Sequence, residues 1–223
     1  MEFNLQAAKQ LDNPSDDFNT FLDHHFITVI IGIRREQDFS VFQRLVGIER
    51  DVAKGLVMDN IETKFEWILW AAEQLKIDAA IPYLEKYTSR KNDDHLRYIS
   101  ARILKNWKGY KKYFKLLDEI MDGGCSFTKS EILGAAASYS PNDTKRLLMN
   151  GLRDSEDEVR SSALSGLLEI TGELKHPVVD GRYYESLLYY TKPEIFADQV
   201  LFEFRLRELE SRLDAALGLA GRP

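Results

Sequence analysis

Apolar side chains recur at steps of three and four residues along almost the whole chain, whereas strict alternation of apolar and polar residues is scarce. That period matches one face of an α-helix, since a half-buried strand would alternate at every second position. The pattern therefore predicts an all-α protein. A β-branched run at 27–31 is typical of a strand, but the residues before it follow a helical stripe, and we predict a buried helix there.

From about residue 61 the predicted helices come in pairs, and the second members of these pairs can be aligned with one another. The clearest segment is 154–168, in which Val159-Arg160 opens the second helix and the small Ala163 follows. Equivalent positions are assigned 63 residues earlier to Leu96-Arg97, 27 residues earlier to Ile132, and less closely to Phe65. A mean spacing of about 31 residues suits a helical-hairpin repeat.

The segment 154–168 resembles the HEAT-repeat pattern, with Asp154 in the turn between the helices and Arg160 at the start of the second helix. The resemblance implies a right-handed α-solenoid of stacked antiparallel helix pairs. It also implies a structural role for Asp154 and Arg160, because this aspartate and arginine typically form a ladder between neighbouring repeats. We therefore expect one domain over 1–223, with divergent N-terminal helices at 1–60, HEAT-like repeats at 61–172 and a C-terminal cap at 173–223.

The C-terminal segment carries a single apolar seam on one long predicted helix beginning near Ile195. The seam positions follow four- and three-residue steps and are Gln199, Phe202, Leu206, Leu209, Leu213 and Ala216. We predict that this helix caps the repeats. The same seam could instead join two copies of the chain in a coiled-coil homodimer.

The formal net charge is -6, from 30 Lys and Arg against 36 Asp and Glu. This balance disfavours nucleic acid and anionic membranes, which both require a basic surface, and favours a protein partner with a basic surface. The first residues lack the features of a secretory signal, and no apolar run approaches the roughly 20 residues that span a bilayer. With Cys125 as the single cysteine, we expect a cytoplasmic protein without disulfides.

Catalytic and metal-binding motifs are scarce. His24 and His25 are adjacent, so on a helix they point about 100° apart, while His95 and His176 are isolated in the sequence. No zinc-protease, paired-cysteine, phosphate-loop or nucleophile-elbow motif occurs. We therefore expect no metal, no cofactor and no catalytic residue.

Two acidic pairs, Asp93-Asp94 and Glu156-Asp157, lie where helices are predicted to begin. Their simplest interpretation is helix capping or a solvated rim, since acidic residues are favourable at the positive end of a helix. Alternatively, they line one edge of the repeats and steer a basic partner towards it.

One segment, 105–115, runs against the overall charge because it interleaves five lysines with four aromatic residues. We predict a single helix with an aromatic stripe inside and Lys108, Lys111, Lys112 and Lys115 outside. The alternatives are a patch for an acidic partner or, through phosphate contacts and base stacking, for nucleic acid.

The leading functional hypothesis is a non-catalytic protein-binding module. In style the chain resembles bacterial immunity proteins, which neutralise a toxin by covering its active site, and this implies a toxin domain as the partner. The alternative is a resemblance to HEAT-like DNA glycosylases, which act on alkylated bases with tryptophans and an aspartate on a basic concave face; the tryptophans here are Trp67, Trp70 and Trp107. A bilin-lyase-like modifying protein is a further alternative.

Overall fold

Every regular element is a helix in the parts of the chain that the computed structural model describes, which are residues 3–27, 40–172 and 199–219. The prediction of an all-α chain is confirmed for these parts. The predicted buried helix at 27–31 lies, apart from Ile27 at the end of a π-helical turn, outside the described residues. None of the described helices combines the length and apolarity that a membrane span requires.

Contacts divide the chain into two units, residues 1–113 and 114–223. The α-helices of the first unit are α1 (Asp16–Leu22), α2 (Val41–Arg44), α3 (Gly47–Asn60), α4 (Glu66–Gln74), α5 (Ile81–Tyr87) and α6 (Asp94–Lys108). Helix α7 (Tyr113–Gly123) begins at the boundary, and the second unit continues with α8 (Ser126–Gly134), α9 (Pro141–Gly151), α10 (Asp157–Ile170) and α11 (Gln199–Ala216).

In the first unit, α4 and α6 lie side by side, α3 packs on α4, and α5 packs on α6. The two neighbours run parallel, because Glu66 contacts His95 near their N-terminal ends and Lys76 contacts Trp107 near their C-terminal ends. The face between α4 and α6 therefore presents residues of both helices in the same order.

Helix α6 ends earlier than the lysine pattern predicts. Gly109 adopts a left-handed conformation (φ +66°), and its N–H donates to the Lys105 carbonyl at 2.9 Å, which closes the helix at Lys108. The prediction of one helix over 105–115 is therefore wrong. The aromatic side chain that is fully buried here is Tyr113, at the start of α7.

In the second unit, α8 and α10 pack side by side, and α9, which joins them in sequence, contacts both. The helices α8 and α10 run parallel, because Lys129 near the start of α8 contacts Asp154 just before α10, and the Leu133 carbonyl near the end of α8 lies next to Gly166 of α10. Helix α8 begins at Ser126 and α10 at Asp157, a step of 31 residues. Lys129 is therefore the equivalent of Arg160, and Thr128 is that of Val159. The predicted step of 27, which aligns Ile132 with Val159, is wrong. Arg97, Lys129 and Arg160 are each the fourth residue of their helix, and each is more than nine-tenths buried.

Helix α11 packs on α9 and α10 within the second unit. The predicted apolar seam of α11 is buried at its central positions, Phe202, Leu206, Leu209 and Leu213, whereas Ala216 at its end is exposed. The seam that could have formed a homodimer is thus already covered by the chain's own helices.

Candidate binding face on helices α4 and α6

Polar and aromatic side chains of α4 and α6 meet along the line where the two helices lie side by side, and we call this surface the α4–α6 face. Its members are Glu66, Trp70, Glu73 and Lys76 from α4 and the turn after it, with His95, Arg102, Asn106 and Trp107 from α6. Residues three and four positions apart share one side of a helix, so each helix contributes one row. The rows contact each other at four successive levels.

The first level is a carboxylate bound on both oxygens. Glu66 Oε2 lies 3.1 Å from His95 Nε2, and Glu66 Oε1 accepts a hydrogen bond from Trp70 Nε1 at 3.1 Å. The hydrogen bond with His95 holds the pKa of Glu66 below its usual value, against the opposing effect of burial. Glu66 thereby fixes the orientation of the Trp70 ring.

The second level is an arginine held by aromatic rings. The guanidinium carbon of Arg102 lies 4.2 Å from the centroid of the Trp70 ring and 5.4 Å from that of Tyr98. Arg102 forms no hydrogen bond or ion pair with any residue that the structure describes, and it is partly exposed. Stacking therefore positions the group while its N–H donors remain uncommitted.

The third level is a buried carboxyl group. Glu73 is 7% exposed, and burial raises its pKa, although Lys76 and a hydrogen bond with Asn106 act in the opposite direction. Burial makes the Glu73 carboxyl group costly to ionise. Along the α4–α6 face, Glu73 lies between the level of Arg102 and the level of the lysines.

The fourth level brings two lysines to one tryptophan. The ammonium groups of Lys76 and Lys108 lie 5.6 and 5.4 Å from the centroid of the Trp107 ring. Lys108 also pairs with Asp78 at 2.9 Å. Of the four lysines predicted to contact a partner, Lys108 thus borders the α4–α6 face.

The other three lysines lie elsewhere along the chain. Lys111 and Lys112 are exposed in the turn before α7, and Lys115 is exposed on α7. Because Gly109 ends α6, these three side chains do not continue the α6 row.

Three of the four acidic residues predicted to meet a partner, Asp93, Asp94 and Asp157, form contacts at helix starts. Asp93 caps α6 by accepting from the Leu96 N–H at 2.9 Å, and Asp94 pairs with Arg97 at 2.7 Å. Glu156 is the exposed residue immediately before α10. In the first turn of α10, Asp157 pairs with Arg160.

The structure places Asp154 and Arg160 at the start of α10. Arg160 Nη1 donates to the main-chain carbonyls of Asp154 and Ser155, at 2.8 and 2.7 Å. The Asp154 carboxylate instead pairs with Lys129 of α8 at 2.7 Å. Asp154 and Arg160 are therefore connected through the main chain, and the carboxylate connects α10 to the preceding parallel helix.

A shallow pocket of about 370 Å³ lies in the second unit. It is lined by Asn142, Lys145, Arg146, Met149, Asn150, Arg153 and Glu210. Lys145 pairs with Glu210 at 3.0 Å and with Asp214 at 2.8 Å, and Arg146 pairs with Asp118 and Asp143. The cations of this pocket are thus neutralised by neighbouring carboxylates, unlike Arg102.

Sequence reasoning identified the tryptophans as a group but missed Glu66, Glu73, His95 and Arg102. The available signal was the spacing of Glu66, Trp70 and Glu73, which puts polar groups on one side of an otherwise apolar helix. The contacts of these α4 residues with α6 depend on how far one helix is shifted along the other, and the spacing of residues within α4 does not predict that shift.

Among the described residues, no three His, Cys, Asp or Glu side chains converge in a way that could hold a metal ion. Comparisons of the chain with protein-family models, curated proteins and solved structures find no significant match.

Proposed function

We propose that this chain is a non-catalytic protein-binding module that contacts its partner through the α4–α6 face. The observation that carries the proposal is the stacked Arg102, which lies on the same face as the partly exposed Trp70 and Trp107. Tryptophan and arginine dominate the binding energy of protein interfaces, most of all where they are already ordered. Glu66 and His95 supply that order here through hydrogen bonds.

For the architecture, we propose a right-handed α-solenoid of HEAT-like repeats over both units. Support comes from the parallel pairs α4/α6 and α8/α10, and from the buried cation at the fourth position of α6, α8 and α10. In this proposal the contact between Lys129 and Asp154 takes the place of the ladder between neighbouring repeats. Such an array exposes parallel helices as an extended surface for a partner.

For the partner, we propose a protein with a basic surface, and more narrowly a toxin whose active site the chain covers. The net charge of -6 and the acidic helix starts, Asp93-Asp94 and Glu156-Asp157, favour rapid association with a basic protein. The chain would then act as an immunity-type inhibitor in the cytoplasm.

The test is affinity capture from the native cell, followed by titration of the purified partner against variants. Trp107→Ala should weaken binding by about 30-fold or more, the loss typical of an interface hot spot. Trp67→Ala is the matched control, because Trp67 is also a partly exposed tryptophan of α4 but lies about 100° around the helix from Glu66, at the edge of the row formed by Glu66, Trp70 and Glu73. Failure to retain any protein, or equal effects of the two substitutions, would remove the support for this proposal.

A second candidate is a HEAT-like DNA glycosylase, favoured by the convergence of Trp70 and Trp107 with Arg102, Lys76 and Lys108. Stacking surfaces beside cations suit nucleic acid. The carboxyl groups on this face are glutamates, and both are hydrogen-bonded. Release of alkylated bases from methylated DNA by the wild type, and its loss in Trp107→Ala, would favour the enzyme over the binding module.

A further inference from the structure

Arg102 combines two properties that together describe a receptor for an anion. Its guanidinium is positioned by the Trp70 and Tyr98 rings, and it has no hydrogen-bonding or ion-pair partner among the described residues. A guanidinium held by aromatic rings can still offer its planar fork of N–H donors, from which a carboxylate accepts two parallel hydrogen bonds.

The nearest carboxyl groups of the chain do not take this role. Glu66 has both oxygens engaged, by Trp70 and His95. Glu73 is buried and hydrogen-bonded to Asn106. Both lie close enough to act on Arg102 electrostatically, yet neither forms an ion pair with it.

We infer that Arg102 receives one aspartate or glutamate side chain of the protein partner, as the anchor of the α4–α6 face. This inference rests on the proposed function and adds the chemistry of the contact. The partner then presents a largely basic surface for approach and a single carboxylate at the anchor. The site is partly exposed, so the carboxylate reaches it without displacing a side chain of the core.

The surroundings favour a single carboxylate over a polyanion. Two glutamates act on the position of Arg102, and the whole chain carries a net charge of -6. A nucleic-acid backbone would bring one negative charge per nucleotide towards this acidic chain, whereas a single carboxylate brings one charge, which the guanidinium compensates. A single carboxylate therefore gains the bidentate contact at a smaller repulsive cost than a nucleic-acid backbone would.

The experiment uses Trp70 as its own reporter, in the full chain with Trp67→Phe and Trp107→Phe, which leave Trp70 as the single tryptophan. The probe is N-acetyl-glutamate N-methylamide, and the neutral control is the matching glutamine compound. At constant ionic strength, the glutamate probe should change the Trp70 emission saturably, with a dissociation constant on the order of 10 mM. The glutamine compound should give no saturable change.

Arg102→Gln should weaken the response at least about tenfold, and Arg102→Lys should weaken it as well, because lysine lacks the planar fork. Lys86→Gln is the control for general charge, since Lys86 is an exposed cation on α5. It should leave the titration unchanged. Circular dichroism and thermal unfolding of each variant verify that the fold is retained.

Inorganic phosphate is the competing ligand. Binding of phosphate as tight as that of the glutamate probe would overturn the carboxylate assignment, as would an unchanged response in Arg102→Gln. A captured partner that responds to Trp107→Ala but not to Arg102→Lys would also overturn the inference while leaving the binding module intact. Arg102-dependent binding of the probe, without any captured partner, would instead support the site and contradict the proposed function.

Discussion

The ammonium group of Lys129 lies 2.7 Å from Oδ2 of Asp154, and the two side chains are only 10% and 8% exposed. Asp154 Oδ1 accepts the N–H of Glu156 at 2.9 Å, so the same carboxylate also orders the backbone before α10. The pair joins α8 to the loop that precedes its parallel neighbour. Removing either partner leaves a buried charge without compensation.

Lys129→Met should therefore lower the free energy of unfolding by about 3 kcal/mol or more. The double variant Lys129→Met, Asp154→Asn should lose less free energy of unfolding than the two single variants lose together, because it leaves no uncompensated buried charge. Urea denaturation of the four proteins measures this coupling. Lys108→Met, which breaks the exposed pair with Asp78, is the control and should cost about 1 kcal/mol or less. Equal losses in Lys129→Met and Lys108→Met would show that burial does not strengthen the pair.

The same pair shows what the sequence could and could not predict about the repeats. The alignment places Arg97 and Arg160 at the same position of their helices, but a step of 27 puts Leu133 at that position instead of Lys129. Apolar periodicity determines which side of a helix is buried, not the residue at which the helix begins. Helix α8 has only nine residues, too few to distinguish the register that starts at Ser126 from one shifted by four.

The α4–α6 face was predictable only in part. Sequence periodicity placed Trp67 and Trp70 on a helix, and Asp93 was correctly expected at a helix start. The contacts from Glu66 to His95 and from Trp70 to Arg102 join residues about 30 positions apart. They depend on how far α4 is shifted along α6, which is set by the packing of both helices.

Two buried tyrosines of the first unit differ in the state of their hydroxyl groups. Tyr87 donates to the Ile61 carbonyl at 3.0 Å, whereas the Tyr98 hydroxyl has no partner among the described residues. Tyr87→Phe should lower the free energy of unfolding by about 1 to 2 kcal/mol, because it leaves a buried carbonyl unpaired. Tyr98→Phe should leave it unchanged or raise it. Equal destabilisation by the two substitutions in chemical denaturation would reveal a bound water at Tyr98.

Close packing in the second unit depends on Gly151. A Cβ at this position would lie 2.9 Å from the Ala163 Cβ and 2.8 Å from Leu133 Cδ1, and the Ala163 atom cannot rotate away. Gly151→Ala should therefore lower the free energy of unfolding by about 1 to 3 kcal/mol. Gly55→Ala is the matched control within α3, where no described atom lies within 4 Å. It should raise stability by about 0.5 to 1 kcal/mol, and a gain for Gly151→Ala in thermal unfolding would contradict the tight contact.

Glu66 and Glu73 lie on the same face of α4, but their pKa values are shifted in opposite directions. The hydrogen bond with His95 lowers the pKa of Glu66, so this residue stabilises the fold at neutral pH, and its contribution is lost as the pH falls through the folded-state pKa. Burial raises the pKa of Glu73, so its ionisation costs stability as the pH rises from the usual value towards and above the folded-state pKa.

Replacing each glutamate with glutamine should therefore have opposite effects at about pH 7. Glu66→Gln should lower the free energy of unfolding, whereas Glu73→Gln should raise it while keeping an acceptor for Asn106. On acidification, the effect of Glu73→Gln should disappear first, as the pH falls from the raised folded-state pKa to the usual carboxyl pKa. The effect of Glu66→Gln should disappear only below the usual carboxyl pKa. In each case glutamine then replaces a neutral carboxyl group. Urea denaturation over this pH range measures both curves. A loss of stability in Glu73→Gln at neutral pH would mean that ionised Glu73 is stabilised by its surroundings, and Arg102 would then be its partner instead of an open receptor.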